Sequence, residues 1–315
     1  MSGAGFSRRE LIALLGAGGL TASSGAVAGG GRGRVGLTEI QAGEKVPRED
    51  AERAVNEVLM AATGVTDPRQ AVRALFKPGD TVGIKINCLA GRGMSPRPDV
   101  VLAFARVLVA GGLDPRKIIL FERSSRELRR AGFRDCAPFE CVGIDNDYDR
   151  TIATSGDIGS LYARLVTTRC TALVSFGVLK DHDLAGVSGG MKNWYGVIHN
   201  PNKYHDNNCD PFVADVVRHP HIRSKLRLTI LDAGTAQFDG GPAARPSATW
   251  PLGLLVASRD PVAVDAWGWR AIDRERVRRK LPPLEAAGRP PRWIATAARY
   301  GLGEGDPDKI VEARA

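Results

Sequence analysis

Apolar residues recur along this chain in two rhythms, one of period two and one near 3.6, and their alternation predicts an α/β fold. From Glu49 to about Ala62 the positions Ala51, Ala54, Val55, Val58, Leu59 and Ala62 fall at helical spacing, and a second short helix is expected from Gln70 to Phe76. Lys77-Pro78-Gly79-Asp80 then turns the chain into TVGIKIN, which alternates as a strand does. A Gly-rich loop, LAGRGMSPRP, leads to a helix from Asp99 to Gly111. KIILFE (117–122), a short helix from Ser124 to Gly132 and the strand FECVGID continue the alternation. TALVSFGVL (171–179) is almost uniformly apolar, as a strand covered on both faces must be, and LRLTILDA and GLLVAS repeat the pattern. Asp210-Pro211 and Asp260-Pro261 each read as a cap followed by proline at the first helical position.

This succession predicts a three-layer, mostly parallel sheet with helices on both faces, formed as a single α/β domain over 49–315. Ligands of such sheets bind at the carboxyl ends of strands, where Lys85, Asn87, Glu122, Arg123, Lys180, Asp181, His182 and Asp232 fall.

Upstream the rhythm stops. Residues 29–48 are Gly-rich and polar, and are expected to form a flexible lead. Residues 1–28 join Arg8-Arg9 to an apolar run from Leu11 to about Leu20 and to Ala26-Val27-Ala28, the parts of a twin-arginine export signal peptide. The apolar run is shorter than the ~20 residues a bilayer core requires, so no stable membrane span is expected. The expected destination is periplasmic or extracellular, reached in the folded state, with the twin-arginine translocation machinery and a signal peptidase as partners.

Composition narrows the chemistry. A net charge of +9 across 315 residues points to anionic partners. The basic residues are scattered without interleaved aromatics, which argues against nucleic acid and for a small anionic ligand; the run over 274–280 reads as a solvated helix face. Five cysteines are an odd number, so at least one is unpaired, and Cys136 and Cys141 are spaced for a local bridge. Lacking CxxC spacing, the chain is not expected to hold a cysteine-ligated iron–sulfur cluster, and it carries no nicotinamide dinucleotide fingerprint. GLGEG at 301–305 reads as a surface turn.

All five histidines lie between residues 180 and 221. His182, His199, His205, Asp206 and Cys209 offer donors suited to a transition metal; the plainer alternative is a set of surface and loop-stabilising residues. Lys85, Lys180 and Lys192 stand in apolar or Gly-rich surroundings, and together with His182 form the candidate catalytic set. Asn87, Asn193, Asp232 and Asp265 are the candidate substrate-binding residues. Gly189-Gly190-Met191-Lys192-Asn193 resembles a turn whose free amides receive an anion. Asp265 lies among valine, alanine and tryptophan and needs a partner if buried. In DAGTAQFDGGP, either Asp232 or Asp239 contacts a ligand or the segment is a plain surface loop.

VGIKIN, LKDH (179–182), MKNWYGVIH (191–199), DAGTAQFDGGP and LLVASRDPVAVDAWG together resemble the domain of unknown function 362 family over about residues 75–270. That resemblance marks Lys85, Asn87, Lys180, His182, Lys192, Asn193, Asp260 and Asp265 as positions to test. Members of the family are often joined to ferredoxin modules, which implies redox chemistry with a separate redox partner here, where no ferredoxin-type cysteine run is present. The expected function is an exported soluble enzyme performing redox or metal-assisted chemistry on an anionic small molecule. The alternatives are a periplasmic binding protein without turnover, and a metal-independent hydrolase using His182 with Asp181 or Asp183.

Overall fold

The structure is a computed structural model, and it describes residues 33–314. Residues 1–28, where the export signal is read, lie outside the described residues. Among the described residues there are twelve strands: β1 (Arg34–Glu39), β2 (Val82–Ile86), β3 (Ile118–Glu122), β4 (Glu140–Gly143), β5 (Ala153–Ser155), β6 (Ile158–Ser160), β7 (Ala172–His182), β8 (Gly186–Val187), β9 (Leu226–Gln237), β10 (Thr249–Trp250), β11 (Leu254–Ser258) and β12 (Val311–Arg314). Eight α-helices accompany them: α1 (Arg48–Thr63), α2 (Pro68–Leu75), α3 (Pro98–Ala110), α4 (Ser125–Ala131), α5 (Phe212–Arg218), α6 (Pro220–Arg223), α7 (Pro261–Arg278) and α8 (Trp293–Arg299).

The main sheet runs β12-β1-β11-β9-β7-β2-β3-β4, with β10 and β8 paired outside that path. Neighbours from β4 to β9 are parallel, β11 opposes both β9 and β1, and β12 is parallel to β1. Along the path β11 alone is reversed. The layers follow from side-chain alternation: Leu173 and Leu179 of β7 join one core, shared with α5, α7 and α8. Ala172, Val174 and Phe176 join the other, shared with α1 to α4. Two cores on opposite faces make the expected three-layer, mostly parallel arrangement.

Helix α1 buries all six positions that periodicity selects, and Gly64, at φ 77°, ends it in the left-handed conformation that favours glycine. Asp260 caps α7 through the amides of Val262 and Ala263, as expected, and also accepts the amides of Gly33 and Glu304. The GLGEG turn is therefore anchored to this cap. Asp210 does not cap α5: Pro211 occupies the cap position and makes no side-chain bond there.

Two further expectations are corrected. The supposed lead over 29–48 contains β1, placed inside the sheet between β11 and β12. Gly36 explains how a Gly-rich stretch belongs there, because a Cβ at that position would stand 2.8 Å from the Val58 carbonyl of α1; only a bare backbone lets the helix approach so closely. Nor is 274–280 uniformly solvated. Arg276 is buried and donates to the Phe238 and Pro282 carbonyls and to Asp239. The thiols of Cys136 and Cys141 interact with each other and both are free.

Candidate functional site

A cavity of about 390 Å³ opens over the carboxyl ends of β2, β3 and β7. Lys85, Asn87, Lys180, His182, Lys192, Asn193 and His205 all line it. The sheet supplies the floor and the Lys192–Val197 turn, with Pro201–His205, supplies one wall.

Lys85 is held on three sides. Its ammonium donates to Glu122 Oε1 (2.6 Å), the Ile86 carbonyl (2.7 Å) and Asn193 Oδ1 (3.0 Å). The same Asn193 returns its amide to the Lys85 carbonyl (2.8 Å) and Ser175 Oγ (3.0 Å), so β2, β3, β7 and the wall are stitched together at one point. Glu122 offsets the charge of Lys85, and the three bonds fix its ammonium at the cavity floor. Gly196 completes the motif for a steric reason: a Cβ there would stand 2.7 Å from Lys85 Cε and 2.8 Å from Nζ. Because Lys85 is immobilised, Gly196→Ala is expected to cost about 1–3 kcal/mol and to weaken ligand binding. Denaturant unfolding checks this, and wild-type stability in the variant would show that Lys85 yields freely.

Among the described residues Lys180 and Lys192, unlike Lys85, have no ion pair. Lys180 is fully buried, and its single hydrogen bond runs to the Met94 carbonyl at 3.2 Å. Burial draws its ammonium down to about 8. Lys192 lies 3.7 Å over the Tyr195 ring and 3.0 Å from His205 Nε2, and burial again lowers it to about 8. His205 donates from Nδ1 to the Pro201 carbonyl, which leaves Nε2 as an acceptor for Lys192.

His182 is a neutral donor. The amides of Leu184 and Ala185 point at its Nδ1 (3.1 and 3.2 Å), so the ring proton sits on Nε2. Asp183 Oδ1 is also 2.9 Å from Nδ1, yet its side chain is 63% exposed and itself accepts the Leu184 amide. Two backbone donors, that of Ala185 buried, outweigh a hydrated carboxylate. Burial first, then the charge of Lys192, hold the imidazolium down to about 2. Asp181 points elsewhere, to Arg289 (2.7 Å) and the Gly241 amide, so it forms no acid–base pair with His182.

The expected metal set is not brought together. His182 and His205 border the cavity with stacked rings, whereas His199 is exposed against Tyr148, Asp206 is exposed, and Cys209 is buried with its thiol toward the His205 carbonyl. No group of three or more metal-type donors converges among the described residues. A cation at His205 Nε2 would have to displace the Lys192 ammonium.

Asp265 and Asp232 also lie outside this cavity. Asp265, fully buried, accepts the amides of Gly190 (2.6 Å) and Met191 (2.8 Å). The anion received by the Gly-rich turn is therefore the protein's own carboxylate, raised to about 7 by burial. Asp232 is clamped by Arg97 through two nitrogens (2.7 and 2.9 Å) and borders a second cavity of about 320 Å³. Asp239 joins Arg276, Arg245 and Arg289, and Arg289 carries the chain on to Asp181. Sequence reasoning missed Arg289, Arg276 and Tyr195. Their partners are distant in the chain, and only the buried Asp181 beside a strand end hinted that a cation was needed.

The family described as Domain of unknown function (DUF362) matches residues 82–270, a span that includes every residue lining the cavity over β2, β3 and β7. No curated protein matches the chain. One similar solved structure is a Thermotoga maritima protein described as a structural-genomics target, at 11% identity and a TM-score of 0.40, covering 82% of this chain and 60% of that one. The chain thus spans about 60% of that protein's length. Among the described residues no helix is long and apolar enough to cross a membrane.

Proposed function

The chain belongs to the family described as Domain of unknown function (DUF362), and from its cavity we propose an exported enzyme that binds a small anionic molecule and moves a proton on it. The observation that carries this reading is the pair of buried lysines without ion pairs, Lys180 and Lys192, facing one cavity. Buried cations without a carboxylate are costly, and an anionic ligand removes that cost. The twin-arginine pattern of residues 1–28 supports a periplasmic or extracellular setting.

In the proposed reaction Lys180 holds the anionic group, and Asn87 Oδ1, a buried acceptor without a partner, receives a donor of the ligand. Lys192, near 8, is matched to proton transfer close to neutral pH, with His205 Nε2 receiving one of its N–H groups. The neutral Nε2–H of His182 donates to an oxygen on which negative charge develops when a C–H proton leaves for the uncharged amine of Lys192, the form that gains population as pH approaches 8. The proton returns from Lys192 to carbon, so the step balances without an oxidant. Redox chemistry with a separate partner would use the same anion-binding groups.

The test is a thermal-shift screen of small carboxylates and phosphates, followed by nuclear magnetic resonance of each stabilising compound in heavy water. Deuterium appearing at carbon is expected; a ligand recovered unlabelled would favour a binding protein. The pH dependence has a definite sign. Both lysines are cationic below about 8, so anion affinity is full there and is lost as pH rises through 8, well short of the ordinary lysine value of 10.5. Affinity that stays flat to pH 10 would refute the lysine assignment.

A further inference from the structure

The cavity has charge at its floor, and its lip joins two exposed leucines to the polar Asp183, Arg123 and Asn202. Among the described residues five large apolar side chains are exposed, and two of them, Leu89 (48%) and Leu184 (46%), line this one cavity. Leu89 follows the end of β2, and Leu184 lies in the turn between β7 and β8, so the two come from separate elements. The lysines below them are 0 to 8% exposed. Isolated exposed leucines need no explanation, but two at the rim of a cationic pocket define an orientation.

The geometry points to an amphiphilic anion as the ligand, a carboxylate or phosphate head bound at Lys180 and Lys192 with an alkyl or other apolar substituent lying across Leu89 and Leu184. This inference rests on the anion-binding reading and adds the substrate class to it. A volume of about 390 Å³ is near the lower end of the ~300–1,000 Å³ typical of small-molecule sites, so a head and a short chain fill it and a longer chain emerges over the leucines. Tyr195, Pro201 and Pro242 supply further apolar surface on the way out.

The probe is a series of straight-chain carboxylates from butanoate to decanoate, each below its micelle concentration, titrated calorimetrically. Complete burial of a methylene is worth about fourfold in affinity, and at a half-open lip about twofold per carbon is expected. Leu89→Ser with Leu184→Ser, both surface changes, is expected to flatten that dependence, and Lys192→Met to weaken every member. Affinities independent of chain length, with Lys192-dependent binding of the short acids, would overturn the amphiphile and leave the anion site standing. A chain-length dependence that survives in the double leucine variant would overturn the assignment to the lip. Failure of every acid to bind would overturn the anion site itself.

Discussion

Lys180→Met will fold, melt a few degrees above the parent protein and lose about a hundredfold or more in anion affinity. The methionine matches the lysine stem in length and removes an ammonium that has one long hydrogen bond and no counter-ion. A lysine lowered in the fold binds fewer protons folded than unfolded between about 8 and 10.5. The charge cost is thus fully present below 8, amounts to about 3 kcal/mol, and fades as pH rises toward 10.5. The gain in melting temperature should shrink over the same range. Calorimetric melting at pH 7 and pH 10, with ligand titration at pH 7, checks both halves. A variant that melts lower at pH 7 would mean that Lys180 has a structural partner and is not held in reserve for an anion.

Asp265→Asn is expected to be the most damaging conservative change, costing about 2–4 kcal/mol and abolishing ligand binding. Both carboxylate oxygens accept amides, from Gly190 and Met191. An asparagine presents an oxygen to one and an N–H to the other, leaving a buried donor facing a donor. There is no slack for the side chain to move, since a Cβ on Gly189 would collide with the carboxylate and one on Gly190 with Thr229. The affected turn delivers Lys192 and Asn193 to the cavity, so stability and binding should fall together. Urea unfolding and anion titration measure them; binding retained at reduced stability would separate the turn from the site.

Much of this was legible in the amino acids because the strands advertise themselves. TALVSFGVL is almost uniformly apolar and TVGIKIN alternates, and all of β2, β3 and β7 is buried, so a lysine at or near a strand end is anomalous. That anomaly identified Lys85 and Lys180 and placed them at one end of the sheet. Their separate fates were not legible: Glu122, which neutralises Lys85, is 37 residues away, and the Asn193 that braces it is 108 residues away. Asp265 misled for another reason. Its partners are backbone amides, which carry no residue identity and so leave no mark in the sequence. The five histidines were grouped by their density in sequence, but short turns of 3₁₀ helix between residues 192 and 209 send His199 to the surface and His205 to the cavity.

The position of β1 has a kinetic meaning. Its ladder partners lie in β11 and β12, and the Gly33 amide closes on Asp260, 227 residues along the chain. During synthesis this strand leaves the ribosome early and has no neighbour to pair with until β11 and β12 are made. Contacts of such long range are slow to form, so a six-residue strand sets the time at which this half of the sheet can close. Until then β11, which receives β1 along one edge, presents unpaired amides and carbonyls that invite chaperones or another copy of the chain.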